Sequence, residues 1–560
     1  MSTPDRFIDF IECPLGSVLR VSASEIEVGL TEIDRHQFTP HVGAYALAQS
    51  DGFLLFGHIT DIRVRDDSAR NASDSNALAI ATIELFTSIN RKSFKVTPGL
   101  VASPAIGDKV FAPTSQLIQA VIAGGDQFGI EGDRRVSITI AQLPDASQTV
   151  IRLSPEKLFG RHLAILGATG GGKSWTLSRI VEECTAYRSK VILLDATGEY
   201  SGLREHTTHL HFGDLDRDDD SGSTEIALPY YHLTEQDLFA IFRPRGPSQA
   251  PKLRAAIQSL KLAKVSSSVG LDGFIIKAHK PKAQFERSLK NHLAEVESRY
   301  ATFDIRYLTR QIENECVDPQ RSSTEPEVWG GINPVDLANC MPLIGRINDM
   351  LQSRNLAPIF KPKKKASLLE EIHRFIRDQD SRVLRVNMQY LSFAHGARSI
   401  IANAVGRHLF ELAQKGAFRK APLLVVMDEA HQFFTHESEE DEESIAFDAF
   451  GLIAKEGRKY ALNLCIATQR PRDIPEDVLS QMGTLLVHRL INDGDRNIIE
   501  RACGDVDHSS ISLIPTLAPG EAIMAGVDFS IPLHVRIVAP SCQPNSEGAN
   551  YQRYWSLTDS

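Results

Sequence analysis

Along roughly the first 150 residues the apolar positions come in short runs, among them SVLRVSA, FLLFGHITDIRV and ALAIATIEL, broken by Gly, Pro and Asp/Asn clusters. Many short strands at such spacing predict a small β-barrel. From about residue 155 the pattern changes. An apolar strand, HLAIL (162–166), is followed by a glycine-rich turn, a helical run, SWTLSRIVEECTAYR, and a second apolar strand ending at Asp195. Strand, helix, strand in that order predicts a parallel α/β sheet. Between about 230 and 380 the alternation gives way to segments with helical spacing (EQDLFAIF, KLRAAIQSLKLAKV, FERSLKNHLAEVESRY, SLLEEIHRFIRD), which read as a largely helical insertion. Alternation resumes through VLRVNM, SIIANAVGRHLFELAQKG, LLVVM and LNLCIATQ. The expected organisation is therefore a barrel over 1–150, an α/β core in two parts (151–230 and 381–540), a helical insertion over 231–380 and a tail over 541–560.

Composition narrows this picture only a little. A chain of 560 residues is too long for one core, and 42% hydrophobic with 24% charged residues is ordinary for a soluble globular protein. No apolar run approaches about 18 residues, so no transmembrane helix and no membrane partner are expected. The start, MSTPDRFIDFIEC, has neither a basic n-region nor an apolar h-region, which makes a cytoplasmic location the expectation. The seven cysteines are scattered and form no C-x-x-C pair, against both a disulfide framework and a structural zinc site. A net charge of −10 gives no global attraction to nucleic acid, so any DNA contact must come from a locally basic surface or a lined channel.

Four local patterns carry chemistry. GATGGGKS (167–174) fits G-x-x-x-x-G-K-[ST] and lies between an apolar strand and a helical run. Glycines there let the backbone wrap around phosphate, with N–H groups pointing inward at a helix N-terminus. The expected phosphate-binding set is Gly167, Ala168, Thr169, Gly170, Gly171, Gly172, Lys173, Ser174 and Trp175. Lys173 would neutralise the β/γ-phosphates of ATP and Ser174 would ligate Mg²⁺. In LLVVMDEAH (423–431) an apolar strand delivers Asp428, a second Mg²⁺ holder, and beside it Glu429, a general base for the attacking water. In LNLCIATQRP (462–471) a strand end presents Gln469, able to sense the γ-phosphate or orient water. In EGRKY (456–460) Arg458 reads equally as an arginine finger for a neighbouring subunit or as a helix C-terminal cation.

Together with LLDATGEY (193–200), these strings, in this order, resemble the HerA branch of the HerA–FtsK ATPases. The β-rich start is similar to that branch's HAS barrel, the helical stretch lies where the family has an insertion, and PTLAPGEAIMAG (515–526) is similar to the end of its ATPase domains. The resemblance implies a RecA-like P-loop ATPase that forms a homo-hexameric ring, translocates double-stranded DNA and works with a nuclease or another effector. It also favours Arg458 as the finger acting on a neighbour, with Arg489 in VHRLIN as the second candidate. The DEAH string does not make this a DEAH-box helicase, because no second RecA-like lobe follows and some 250 residues separate Lys173 from Asp428. A small-molecule kinase is a weak alternative without a substrate lid. The competing reading from another class is an ATP-binding ring scaffold that assembles and regulates a nuclease or NAD-consuming effector in phage defence.

Weaker features have bland readings. His206, His209 and His211 form H-x-x-H-x-H without a supporting carboxylate or Cys and are taken as structural. The lysine runs at 361–365 (Lys361, Lys363, Lys364, Lys365) and at Lys277, Lys280 and Lys282 are taken as solvated surface, with phosphate-backbone contact as the alternative. The acidic stretches Asp214–Asp220 and Glu437–Glu443 read as solvated loops.

Overall fold

The computed structural model describes residues 10–31, 40–64, 79–122, 136–144, 149–213, 222–270, 272–298, 301–362, 365–392, 396–434, 448–502, 508–529, 532–546, 551 and 555. Both acidic stretches, Lys363, Lys364 and Cys503 lie outside them.

Seven strands come first: β1 (Ile11–Val21), β2 (Glu25–Leu30), β3 (Tyr45–Ser50), β4 (Phe53–Val64), β5 (Ala79–Asn90), β6 (Val96–Pro98) and β7 (Lys109–Pro113). Their order is β2-β1-β7-β3-β4-β5-β6, and a further pairing of β2 with β5 closes six of them into a barrel. β5 shows why: its buried and half-buried positions alternate along AIATIELFTSIN, as a strand with one face inward requires. Leu15, Val28, Ala46, Leu55, Ile59, Ala81, Ile83 and Val110 fill the interior. Closure leaves these six strands without a free edge.

Downstream lie β8 (Ile138–Gln142), β9 (Val150–Leu153), β10 (Leu163–Leu166), β11 (Lys190–Asp195), β12 (Thr207–His211), β13 (Thr224–Ala227), β14 (Ala366–Ser367) and β15 (Val383–Asn387). They are followed by β16 (Leu423–Met427), β17 (Leu462–Thr468), β18 (Thr484–Val487), β19 (Glu521–Gly526) and β20 (Leu533–Ile537). The chain divides into two compact units. One holds Met1–Val191, Leu424–Asp428 and Asn463–Ser560, and the other Ile192–Leu423 and Glu429–Leu462.

In the first unit the strand order beyond the barrel is β16-β17-β10-β18-β19-β20-β8-β9. β10 runs parallel to both neighbours, β17 and β18, whereas β18 through β9 are antiparallel in sequence. β8 and β9 therefore belong to this sheet, and the barrel strands end at Pro113, short of the 1–150 span expected for them. Helix Lys173–Thr185 buries Leu177, Ile180, Val181 and Cys184, the i, i+3, i+4, i+7 stripe read from SWTLSRIVEECTAYR.

In the second unit the order is β14-β13-β12-β15-β11, with β12 parallel to β13 and β15. Residues 231–380 of this unit are mainly helical. Helices span Glu235–Phe242, Gly246–Val265, Lys282–Asn291, Leu308–Glu315, Pro334–Gln352 and Leu368–Arg377, and the two-residue strand β14 is an exception. The first of these begins at a capping box, in which Thr234 Oγ1 accepts from Asp237 N (3.2 Å) and Asp237 Oδ2 accepts from Thr234 N (2.8 Å). Among the described residues no helix is long and apolar enough to cross a membrane, and no disulfide forms.

Candidate functional site

The glycine-rich segment leaves the C-terminal end of β10, paired as Leu166↔Thr468 on one side and Leu166↔Val487 on the other. The ladder to β18 continues past both strands. His488 N donates to Leu166 O (2.7 Å) and Ala168 N to Arg489 O (2.9 Å), so the start of the loop is zipped to its neighbour. Two positions require glycine. A Cβ on Gly167 would lie 2.6 Å from His488 Cβ, and Gly172, at φ +112°, has Gly520 Cα 3.1 Å from where its Cβ would stand. Gly520 N donates to Gly171 O (3.2 Å), so the segment Pro515–Gly526 supports the loop from behind. Lys173 is 5% exposed, and its Nζ donates to Ala168 O at 3.2 Å, folding the cation back over its own loop. Thr169, Gly170 and Trp175 are exposed, and Ser174 is half-buried.

Neighbouring strand ends bring other expected residues to this edge. Leu423 N donates to Ala461 O (3.0 Å), so β16 starts beside the start of β17 and runs with it. Asp428, 3% exposed, follows the end of β16, and Gln469 follows the end of β17. Gln469 Oε1 is hydrogen-bonded by the Thr169 hydroxyl at the tip of the loop. Asp428 leaves the sheet two strand spacings from β10, roughly 10 Å. A lysine and a carboxylate can reach around a metal–triphosphate across such a distance.

Glu429 and Arg458 belong to the second unit. Glu429 is 7% exposed and takes φ +47°, a left-handed conformation rare for a residue with a side chain. Its carbonyl accepts from Gln432 N (2.9 Å), and His431 Nδ1 lies 3.4 Å from its Oε2. Gln432 is in turn held by buried Arg398, whose Nη1 donates to its side chain and whose Nη2 and Nε donate to Gln389 O and Leu391 O (both 3.1 Å). Burial lowers the Arg398 pKa, with Asp195 pulling the other way. Arg458 sits in the short 3₁₀ turn Gly457–Tyr460 and is exposed, while Lys459 next to it pairs with Glu456 (2.6 Å).

Sequence reasoning missed three supports. Arg385 on β15 forms a fully buried ion pair with Asp195 (Nε to Oδ2, 2.7 Å), and Asp195 also accepts from Gly198 N (2.7 Å) and Tyr200 N (3.3 Å). The LLDATGEY turn is built on that pair. Replacing Arg385 by Met strands a buried carboxylate at a cost of about 3–5 kcal/mol. The calorimetric melting transition of the second unit is expected to fall by several degrees; an unchanged transition would mean that Asp195 needs no counter-charge. Arg398 and His488 are the other two supports. Each lies far in the chain from what it supports, and no local pattern marks it.

The weaker features resolve individually. His206 Nδ1 is bonded to Asp380 O (2.9 Å), His209 lies between Leu203 O and Arg385, and His211 is bonded to Ser223 (2.9 Å). No group of three or more metal-ligating side chains occurs among the described residues. Lys277 is not solvated surface: it is 7% exposed, with Nζ 2.5 Å from Glu315 and over the Phe285 ring. Lys365 pairs with Glu225, whereas Lys361 is exposed.

Comparison with known proteins points one way. The family profile described as Helicase HerA, central domain, matches residues 138–323. The chain is 22% identical to "Probable helicase MJ1565" of Methanocaldococcus jannaschii, over 94% of this chain and 93% of that one. It is 25% identical to the DNA double-strand break repair helicase HerA of Pyrococcus furiosus, over 77% and 73%. Its identity to the protein of the same name from Sulfolobus acidocaldarius is 22%, over 88% of each. Partial structural overlap is found with the plasmid coupling protein TrwB in complex with an ATP analogue (TM-score 0.43, 15% identity, 76% of this chain and 95% of that one). Overlap with VirB4 of Thermoanaerobacter pseudethanolicus is similar (TM-score 0.39, 14% identity, 76% and 99%). With its loop, its acidic strand end and this run of relatives, the chain is similar along most of its length to HerA-type helicases, and residues 138–323 match the central domain of that family.

Proposed function

We propose that the chain is a ring motor that hydrolyses ATP with Mg²⁺ to translocate double-stranded DNA, feeding or controlling a partner nuclease or other effector. The observation that carries this reading is the strand order β16-β17-β10, which lines up Asp428, Gln469 and the phosphate-binding loop on one edge. The relatives named as DNA double-strand break repair helicases supply the DNA.

In this reading Gly167 to Trp175 cradle the triphosphate, Lys173 neutralises its β/γ end, and Ser174 and Asp428 hold Mg²⁺. When bound there, Mg²⁺ would supply charge neutralisation at the γ-phosphate. Glu429 takes the proton of the attacking water, and Gln469, beside Thr169, senses the γ-phosphate or orients that water. Arg458, exposed on its turn, reaches the γ-phosphate bound by the next subunit of a homo-hexamer. Arg489, also exposed, is the second candidate for that role. The motor works in the cytoplasm.

Double-stranded DNA is expected to stimulate the ATPase of the purified chain, and the chain alone is expected to displace a protein roadblock from a DNA track. If neither happens, the motor is lost and a ring that assembles an effector takes its place.

Arg458 has its own test. Arg458→Ala and Glu429→Gln chains are each expected to be nearly inactive, since a finger is worth about 10³–10⁵ in turnover. Mixed one to one, about a quarter of the head-to-tail junctions pair an intact site with an intact finger. Mixing is therefore expected to restore about a quarter of wild-type ATPase, and no recovery would rule out action between subunits.

A further inference from the structure

We propose that His488 is a positioning residue for the phosphate-binding loop: its neutral imidazole links the first turn of helix Lys173–Thr185 to the Glu521 carbonyl and fills the space that Gly167 and Gly172 leave open. The inference rests on the reading of 167–174 as the nucleotide site.

The ring is fully buried and touches both ends of the loop. At the entrance, its Cβ packs where a Gly167 side chain would be, and at the exit its Cε1 lies 3.3 Å from where a Gly172 Cβ would stand. Its two nitrogens face partners on different elements, and the Gly171 backbone also interacts with the ring. Nδ1 is 2.7 Å from Glu521 O on β19, and Nε2 is 2.8 Å from Thr176 Oγ1 in the helix.

The partners fix the proton. A carbonyl only accepts, so Nδ1 carries the hydrogen and Nε2 presents a lone pair. Thr176 must then donate its hydroxyl proton to Nε2. Gly172 O (3.0 Å) is a second acceptor within reach of the same hydroxyl, but a Thr176 proton turned away from Nε2 would leave two lone pairs facing each other at 2.8 Å, so the short contact to the ring selects Nε2. Both ring nitrogens are satisfied in this arrangement, so helix, loop and β19 are held in register. Burial pushes the His488 pKa down to about 4; the Glu521 and Gly171 backbones pull the other way, and Lys173 adds to the lowering. A cation at this position would lie beneath the phosphate cradle beside Lys173, and the neutral ring avoids that repulsion.

A bystander histidine predicts something different from a positioning one. If His488 only fills space, its loss lowers the melting temperature and leaves affinity for ATP alone. If it sets the height of the loop, the KM for ATP rises while kcat changes little, because Lys173 and Glu429 are intact. The experiment uses the full-length chain and measures ATP binding with a fluorescent analogue, KM, kcat and melting temperature for four variants.

His488→Leu removes both bonds and keeps the bulk, and Thr176→Val removes only the hydroxyl. Each is expected to raise KM about tenfold, with kcat within about threefold of wild type. The double variant is expected to be no worse than His488→Leu, because both changes break the same contact. His488→Gln can put its carbonyl oxygen near the Nε2 position and is expected to bind ATP within about threefold of wild type. An unchanged KM in Thr176→Val, or fully additive losses in the double variant, would overturn the proposal. Should His488→Leu not fold, the contrast between Thr176→Val and His488→Gln decides alone. A wild-type chain that binds no ATP would instead bring down the nucleotide reading, before His488 is tested.

Discussion

Lys173→Ala is expected to weaken ATP binding at least about a hundredfold, enough to remove it from a titration in the micromolar range. The side chain is almost wholly buried and its ammonium has the Ala168 carbonyl at 3.2 Å, so it is held in place before nucleotide arrives. Each charge-assisted bond to phosphate is worth about 1.5–3 kcal/mol. Losing two of them accounts for a factor of about a hundred or more. The loop itself should survive, since its shape comes from the bonds of Ala168 to Arg489 and of Gly520 to Gly171, none of which uses the lysine side chain. The melting temperature of Lys173→Ala should therefore stay near that of wild type while fluorescent-nucleotide binding disappears. Arginine is expected to be a poor substitute, because a planar fork does not fit where a compact point charge is enclosed. Binding within threefold of wild type would remove Lys173 from the site.

What the sequence reveals and what it hides divide along a physical line. The glycine-rich loop is legible because its pattern is local: glycines, lysine and serine lie within eight consecutive residues and the flanking apolar runs say strand and helix. Barrel strands are legible for a similar reason, since the alternation along β5 and the apolar run that opens β4 are properties of each strand by itself. Pairing is not local. Nothing in ITIAQ (138–142) says that its partner is β20, about 400 residues later, and an alternating strand looks the same whichever sheet receives it. Buried supports are hidden for the same reason. His488 follows an unremarked run, TLLV, and its meaning appears only when β18 lies beside β10 and the ring meets Thr176, 312 residues back in the chain. Lys277 misleads in the other direction. Three lysines in six residues look like a solvated face, yet the first is neutralised by Glu315. A charge run describes composition; burial depends on what the fold brings opposite.

Glu429→Gln is expected to separate binding from turnover. Glu429 adopts φ +47°, which costs roughly 1 kcal/mol or more for a residue with a side chain, and such strain persists where surrounding bonds over-determine it. Those bonds are visible: Gln432 N on the Glu429 carbonyl, Arg398 on the Gln432 side chain, and Ser399 Oγ on Gln432 O (2.9 Å). None of these bonds depends on the charge of the glutamate, so an amide of the same size should keep the turn and the fold. What it cannot keep is basicity. A carboxylate near the attacking water accepts its proton, and an amide does not, which is worth about 10²–10⁴ in rate. Steady-state ATPase should fall by that factor, while the dissociation constant for ATP stays within about threefold, because Lys173 and the loop backbone hold the triphosphate without help from Glu429. Asp428, one residue earlier, is the proposed Mg²⁺ holder, so Asp428→Asn should instead weaken Mg²⁺-dependent binding. The two adjacent carboxylates are thus told apart by which parameter moves, and equal ATPase rates in wild type and Glu429→Gln would leave the proton of the attacking water without an acceptor at this position.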